Sequence, residues 1–273
     1  MSKFKWSPSA LNLLATCGEA FRRRYVEGER FPSSPRQLRG RAVHHVAQTA
    51  YTRVLHAEAL PTAEEAHDLA ATRFESDWSE GVQLEPDEQV AGEQFTKGES
   101  LDFAVDLAGF HVTRVAPTVQ PVAVEEAMTA QLPESDVLVH GIIDLIALTP
   151  SGEVIRDVKT SEKSPNVNAA DNSLQLTVYS ALYQAEMGHL PLSLQLDYLT
   201  RSPVRKTKGF IPLVTRRDNE DLKVLGARVQ AAVSVADAGR YLPAAPDSWA
   251  CSAKFCSFHS TCKYVRRGAR PTS

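Results

Sequence analysis

The chain has 273 residues and a hydrophobic fraction of 43%, enough for one large globular domain or two small ones, which excludes a disordered or fibrous chain. The net charge of −3 neither favours nor excludes nucleic acid as a partner. No apolar run approaches the roughly 20 residues that span a bilayer, and the opening MSKFKWSPSALNLLATC holds too short an apolar stretch for a secretion signal, so no membrane partner and a cytoplasmic location are expected.

Residues 7–27 read as a first helix: Ser7 is placed to cap it, Pro8 takes its first position, and Leu11, Leu14, Cys17 and Phe21 recur at helical spacing. PSSP interrupts the pattern, and LRGRAVHHVAQTAYTRVLHAE carries a second helix through the forties and fifties. A third opens at PTAEEAHDLAATRFESDW, with Thr62 and Glu65 spaced as a capping box, and a long polar helix fills about 86–113. Charge is uneven across these segments. Between Cys17 and His45 there are seven arginines (Arg22, Arg23, Arg24, Arg30, Arg36, Arg39, Arg41) against three glutamates, and between Ala57 and Asp102 thirteen acidic residues against Arg73 and Lys97. Either a basic face is turned to a polyanion, or both tracts are ordinary solvated helix faces.

The texture changes after Pro117. QPVAVEEAMTAQL and DVLVHGIIDLIALT read as strands joined by a turn at PESD, and EVIRDVKT as a third strand. NAADNSLQLTVYSALYQAEMG is helical, with Leu174, Val178, Leu182 and Ala185 apolar. LSLQLDYLT and KGFIPLV are two further strands, and RRDNEDLKVLGARVQAAVSVADAG a final helix. The order, helices first and then β-β-β-α-β-β-α, predicts one α/β core with a helical N-terminal insertion.

Two acidic residues are misplaced by the logic of burial. Asp144 sits in a strand apolar on both faces, and Asp157 shares a face of the next strand with Ile155 and Lys159. Buried charge is costly unless paired or bound to something else. Adjacent strands lie about 4.8 Å apart, so the two carboxylates can meet, and at that range they repel unless a proton or cation lies between them. Two arrangements satisfy these residues. One is a divalent cation held by Asp144 and Asp157, with Lys159 beside its bound water. The other is an Asp157–Lys159 ion pair next to an unrelated Asp144.

Three of the four cysteines, Cys251, Cys256 and Cys262, stand close together in CSAKFCSFHSTC; Cys17 is the fourth. In a cytoplasmic chain two disulfides are not expected, and the trio is one thiolate short of a complete four-sulfur ligand set.

GIID (Gly141 to Asp144) followed by DVK (Asp157 to Lys159) resembles the PD-(D/E)XK nuclease superfamily. Gln175 and Tyr179 in QLTVY are similar to the Q-x-x-x-Y motif of its RecB-like branch, and GRAVH (Gly40 to His44) to the G-x-x-x-H motif. The cysteines resemble the iron–sulfur version of that branch, found in CRISPR-associated and phage RecB-type exonucleases; the gap between Cys251 and Cys256 is longer than in many relatives. No P-loop accompanies them.

The resemblance implies a restriction-endonuclease-like α/β fold, a mixed central sheet flanked by helices. It implies a single domain over 1–273, with a helical insertion at 41–116, a catalytic core at 117–240, and a cluster region formed by residue 17 and 251–262. It implies Mg²⁺ or Mn²⁺ bound by Asp144, Asp157, the Val158 carbonyl and His44, with His45 the rival to His44. Lys159 would orient the attacking water, and Gln175 and Tyr179 would touch Lys159 or the DNA backbone. A glutamate on the first core strand is also expected, and Glu125 and Glu126 both qualify. Cys17, Cys251, Cys256 and Cys262 would hold a [4Fe–4S] cluster, with zinc as the alternative. The basic CKYVRRGAR beside them would touch nucleic acid.

The implied activity is phosphodiester hydrolysis of single-stranded DNA or DNA ends, in recombination, repair, phage DNA processing or CRISPR adaptation, with partner proteins of those processes. The alternatives are a non-catalytic DNA-end-binding or adaptor subunit and a sequence-specific endonuclease.

Overall fold

The structure is a computed structural model that describes residues 6–132, 135 and 137–265. Ser7 caps α1 (Pro8–Thr16), its hydroxyl accepting from the Ala10 N–H at 3.3 Å. The expected first helix does not run through. Cys17 is extended (φ −159°, ψ 106°) and separates α1 from α2 (Gly18–Phe21), which continues into a π-helical turn over Arg22–Val26. The cause is tertiary. The Gly18 N–H donates to the Leu242 carbonyl at 2.7 Å, and a Cβ on Gly18 would stand only 2.7 Å from the Leu242 backbone. Local helical spacing loses to a chain segment pressed against it from the far end of the sequence.

Helix α3 (Pro35–Leu55) begins with a capping box, Ser34 with Gln37, and α4 (Ala63–Ser79) with the one expected at Thr62 and Glu65. The single helix expected near 86–113 is two: Gly92, at φ +94°, divides α5 (Pro86–Ala91) from α6 (Glu93–Phe110), and a π-helical turn extends α6 through Val115.

Five strands follow: β1 (Gln120–Gln131), β2 (Leu138–Thr149), β3 (Gly152–Ser161), β4 (Ser193–Arg201) and β5 (Lys208–Thr215). They lie side by side in that order. Neighbours are antiparallel except β3 and β4, which are parallel and joined through α7 (Leu174–Met187), as a parallel pair requires. Pro212 is tolerated because β5 is an edge strand, pairing only with β4. Helix α8 (Asn219–Asp237) completes the α/β core. The turn expected at PESD falls largely outside the described residues, as do Arg266, Arg267 and Arg270 of the basic tail.

Each face of the sheet carries its own apolar core. Ile155, Leu182, Tyr183, Leu194 and Val229 form one with α1, α7 and α8. Leu38, Val46, Phe74, Leu107, Leu145 and Leu199 form the other with α3, α4 and α6. Helix α7 is buried almost all round from Leu176 to Tyr183, while Ala185 is exposed. Each fully buried large side chain contributes on the order of 1.5–3 kcal/mol. Strand β2 changes face midway: Val139, Ile143 and Ile146 join the first core, Leu145 and Ala147 the second. The alternation therefore slips by one around Asp144.

The C-terminal segment folds back onto α2. Arg23 forms a fork with Glu29 (2.8 and 2.6 Å), donates to Thr261 Oγ1 at 2.9 Å and to the Phe258 carbonyl at 3.4 Å, and lies 4.5 Å from the Phe258 ring centroid. No described helix is long and apolar enough to cross a membrane.

Candidate active site

The last ladder pair between β2 and β3 is Leu145 with Arg156. Carried one residue further, the register sets Asp144 across from Asp157. Asp144 Oδ2 accepts the Val158 N–H at 3.3 Å and lies 3.2 Å from His44 Nδ1 on α3. Asp157, fully buried, points to the α7 side. Its Oδ1 accepts from Gln175 Nε2 at 2.9 Å, and its Oδ2 stands 2.5 Å from Lys159 Nζ. That last contact is an ion pair by distance but misaligned as a hydrogen bond, so Oδ2 is a buried carboxylate oxygen without an aligned donor. Lys159 Nζ donates to Gln175 Oε1 at 3.0 Å, and Gln175 Nε2 also donates to the Tyr179 hydroxyl at 2.7 Å. His44, Asp144, Asp157, Lys159, Gln175 and Tyr179 thus come together, with Val158 supplying the N–H that positions Asp144.

One glycine permits the arrangement. A Cβ on Gly141 would stand 2.9 Å from Leu182 Cδ1 and 3.2 Å from Tyr179 Cε1, so only glycine lets α7 lie this close to β2. Gly40, one turn before His44, is under no such constraint: an added Cβ would stand 3.5 Å from Thr160 Oγ1 on β3, an ordinary contact.

Burial raises the Asp157 carboxyl to about 6; Lys159 pulls it down and Asp144 pushes it up again. Burial disfavours the charge on Lys159, but Asp157 outweighs it and the ammonium is held upward. His44 behaves likewise: burial opposes its proton, and the hydrogen bond and charge of Asp144 win. Between the two candidate glutamates the structure singles out Glu125. Burial and then Asp144 raise its carboxyl, and its backbone is in the left-handed region at φ 52°, between the ladder pairs Val124–Leu145 and Glu126–Ile143. Non-glycine residues held there cost about 1–3 kcal/mol and cluster at functional sites. His45, the rival to His44, instead lines a pocket with Arg53, Asp68 and Arg73, and burial followed by Arg73 lowers its pKa.

Among the described residues no three His, Cys, Asp or Glu side chains are arranged as a ready metal-binding group. The charge on Asp157 is met by Lys159 instead. Still, a raised buried carboxyl, an oxygen whose only close neighbour among the described residues is a misaligned ammonium, and a second carboxylate alongside fit a divalent cation with oxygen ligands.

Sequence reasoning missed a second polar group, buried on the α3 side of the sheet. Arg156 donates through Nε to Asp197 Oδ2 at 2.8 Å, and Gln195 to Asp197 Oδ1 at 2.5 Å. Nearby, Tyr51 OH and His111 Nε2 are 3.0 Å apart. Burial, with help from Arg156 and His44, lowers the His111 pKa to about 3. Asp197 carried the same signal as Asp157, a carboxylate in an apolar strand; His111 carried none.

The four cysteines form no disulfide and are partly buried. Cys17 accepts the Ala244 N–H at 3.3 Å. Burial, then Cys17 and Cys262, raise the Cys251 thiol. Burial also raises that of Cys256, with Cys17, Cys262 and Cys251 adding to it against a backbone hydrogen bond at Phe258. The fold gathers the four thiols into one neighbourhood without closing them into a ligand set.

No match to the chain was found among curated proteins. Among solved structures, a candidate exonuclease from Eubacterium rectale is similar over 98% of this chain and 91% of its own, at 12% identity and a TM-score of 0.54. A second structure, SSO0001, covers 76% of this chain and 87% of its own at 15% identity, with a TM-score of 0.37, too distant to bear on the fold. The sequence profile of the PD-(D/E)XK nuclease superfamily matches residues 5–263, nearly the whole described chain, and the five-stranded mixed sheet flanked by helices agrees with it. The chain belongs to the PD-(D/E)XK nuclease superfamily.

Proposed function

We propose that this nuclease is a metal-dependent deoxyribonuclease of the RecB-like branch that removes nucleotides from single-stranded DNA or DNA ends. The observation that carries the reading is Asp157, a fully buried carboxylate held between Lys159 and Gln175, with Asp144 anchored alongside by His44 and the Val158 N–H. A protein that only bound DNA ends has no use for so costly an arrangement. The Eubacterium rectale neighbour, itself a candidate exonuclease, supports the same activity.

Nucleases of this superfamily generally use Mg²⁺ or Mn²⁺. Here Asp144, Asp157, the Val158 carbonyl and His44 would hold the cation, with Glu125 beside them. When bound, it supplies activation of water and neutralisation of phosphate charge. Lys159 stays protonated and offers Nζ–H to the attacking water, while Gln175 fixes Nζ and is itself fixed by Asp157 and Tyr179. Within the RecB-like branch the cysteines would hold a [4Fe–4S] cluster, or zinc, as a brace between distant parts of the chain; analysis of iron, sulfide and zinc in anaerobically purified protein distinguishes them.

End-labelled linear single strands and circular DNA, incubated with Mg²⁺ or Mn²⁺, test the activity. Linear DNA should be lost, circles should persist, and EDTA or Lys159→Ala should stop the reaction. Wild-type rates in Lys159→Ala would sink the mechanism, and cutting of circles the exonuclease assignment.

A further inference from the structure

The seven arginines between Cys17 and His45 divide into two groups. Arg22, Arg23, Arg39 and Arg41 pair with Glu19, Glu29, Glu162 and Asp77. Arg24, Arg30 and Arg36 are exposed, and among the described residues none of them is in an ion pair. These three line two adjoining grooves. Arg24 and Arg30 border a groove of about 390 Å³ between α1–α2 and the C-terminal segment, with Cys17, Cys256 and Glu29, the partner of Arg23, also in its lining. Arg36 borders a second of about 190 Å³, which shares Gln37, Phe255, Cys256 and Ser257 with the first. Aromatic rings stand in the larger groove. Trp249 is 70% exposed and Phe255 51%, edge to face at 5.2 Å, and Phe31 is 37% exposed. Arg30 donates to the Arg24 carbonyl at 3.3 Å and Arg24 lies 5.8 Å from the Tyr25 ring centroid, but exposed rings beside guanidiniums with no carboxylate partner match the two needs of an unpaired strand, a flat surface for each base and a cation for each phosphate.

Helix α3 links this surface to the cleavage site. Gln37 lines both grooves, and His44 follows seven residues later. Two helical turns put the two side chains on one face, about 10 Å apart along the axis. We propose that the exposed rims of the paired grooves, outside the Cys17 and Cys256 positions given to the metal centre, hold the single-stranded nucleic acid running from the cleavage site, with bases stacked on Trp249 and Phe255 and phosphates on Arg24, Arg30 and Arg36. This rests on the nuclease reading above and adds the strand state it prefers and where the rest of the strand lies.

The test is a fluorescence titration in EDTA, so that no cleavage occurs, with oligothymidylate of roughly a dozen nucleotides. Trp6 (0% exposed) and Trp78 (7%) are buried, so quenching reports Trp249. The single strand should quench and a duplex of equal length should not. Trp249→Ala should weaken binding about five-fold or more, and Trp249→Phe should recover most of the affinity without the quench. The joint variant Arg24→Gln, Arg30→Gln, Arg36→Gln should lower the slope of log affinity against log salt by about 2. Melting curves and metal content measured alongside confirm that these surface variants remain folded. Unchanged affinity in Trp249→Ala combined with Phe255→Ala, or duplex bound as tightly as single strand, would overturn the proposal. If the protein cleaves DNA while these variants bind normally, the groove alone is wrong; if it binds as described but never cleaves, the nuclease reading is.

Discussion

Replacing Lys159 by Met keeps most of the side chain's volume and removes the cation in contact with Asp157. The cost is set by what Asp157 does next. With Lys159 present its carboxyl is raised to about 6. Against an unfolded value of about 3.9, ionised Asp157 already costs roughly 3 kcal/mol at pH 7. Without Lys159 the pKa rises further, and full protonation of the residue caps the cost at about 4 kcal/mol at pH 7. The variant should therefore lose about 1–2 kcal/mol relative to wild type at pH 7. The sign follows from a folded pKa above the unfolded one: the burden grows as pH climbs and fades as it falls. At pH 5 both proteins carry protonated Asp157 at about 1.5 kcal/mol each, so this part of the difference should vanish, leaving only the pH-independent effect of replacing the buried ammonium and its bond to Gln175. Urea unfolding in EDTA at the two pH values reads this directly. A deficit that is the same at pH 5 and pH 7, or absent at both, would refute the account of Asp157 as a strained buried carboxyl.

Asp157→Asn should reduce cleavage by at least about 100-fold in a single-turnover assay, because the amide removes the negative charge that the reaction requires. Gly141→Ala should cost about 1–3 kcal/mol by thermal melting, since its new methyl meets Leu182 and Tyr179, and it should slow cleavage by displacing Gln175. His111, with its pKa lowered to about 3, stays neutral in the fold but takes a proton when unfolded below about 6.5. It therefore removes stability as pH drops across that window, and His111→Gln should flatten the wild-type profile there, measured by urea midpoints from pH 7 to pH 4. Arg23→Met should free the C-terminal segment and speed chemical labelling of Cys256 and Cys262 several-fold.

The elements most readable from sequence were those whose cause is local. Ser7 and the Thr62–Glu65 box sit at helix starts because their partners lie three residues away. Charges embedded in β-branched runs exposed Asp144, Asp157 and Lys159, and the order of strands and helices after Pro117 followed from β-branched runs, turn residues and helical spacing. What stayed hidden depends on distant contacts. Nothing near Cys17 announces that Leu242 will break the helix there. The choice between Glu125 and Glu126 turns on a left-handed backbone and a slip in β2, which alternation cannot show. The pairing of Tyr51 with His111 spans 60 residues, and that of Arg156 with Asp197 spans 41.

The clasp of Arg23 on Phe258 and Thr261 also sets an order of events during synthesis. Its partners are made 235 and 238 residues after it, and the Leu242 carbonyl that receives Gly18 comes almost as late. Every side chain from His44 to Tyr179 leaves the ribosome well before that. The cleavage centre can assemble, and α1 can pack against α7 and α8, on a nascent chain whose Gly18 and Arg23 still lack their C-terminal partners, so a stall late in translation would release a protein with its catalytic half formed and the turn from Cys17 to Arg23 unclasped.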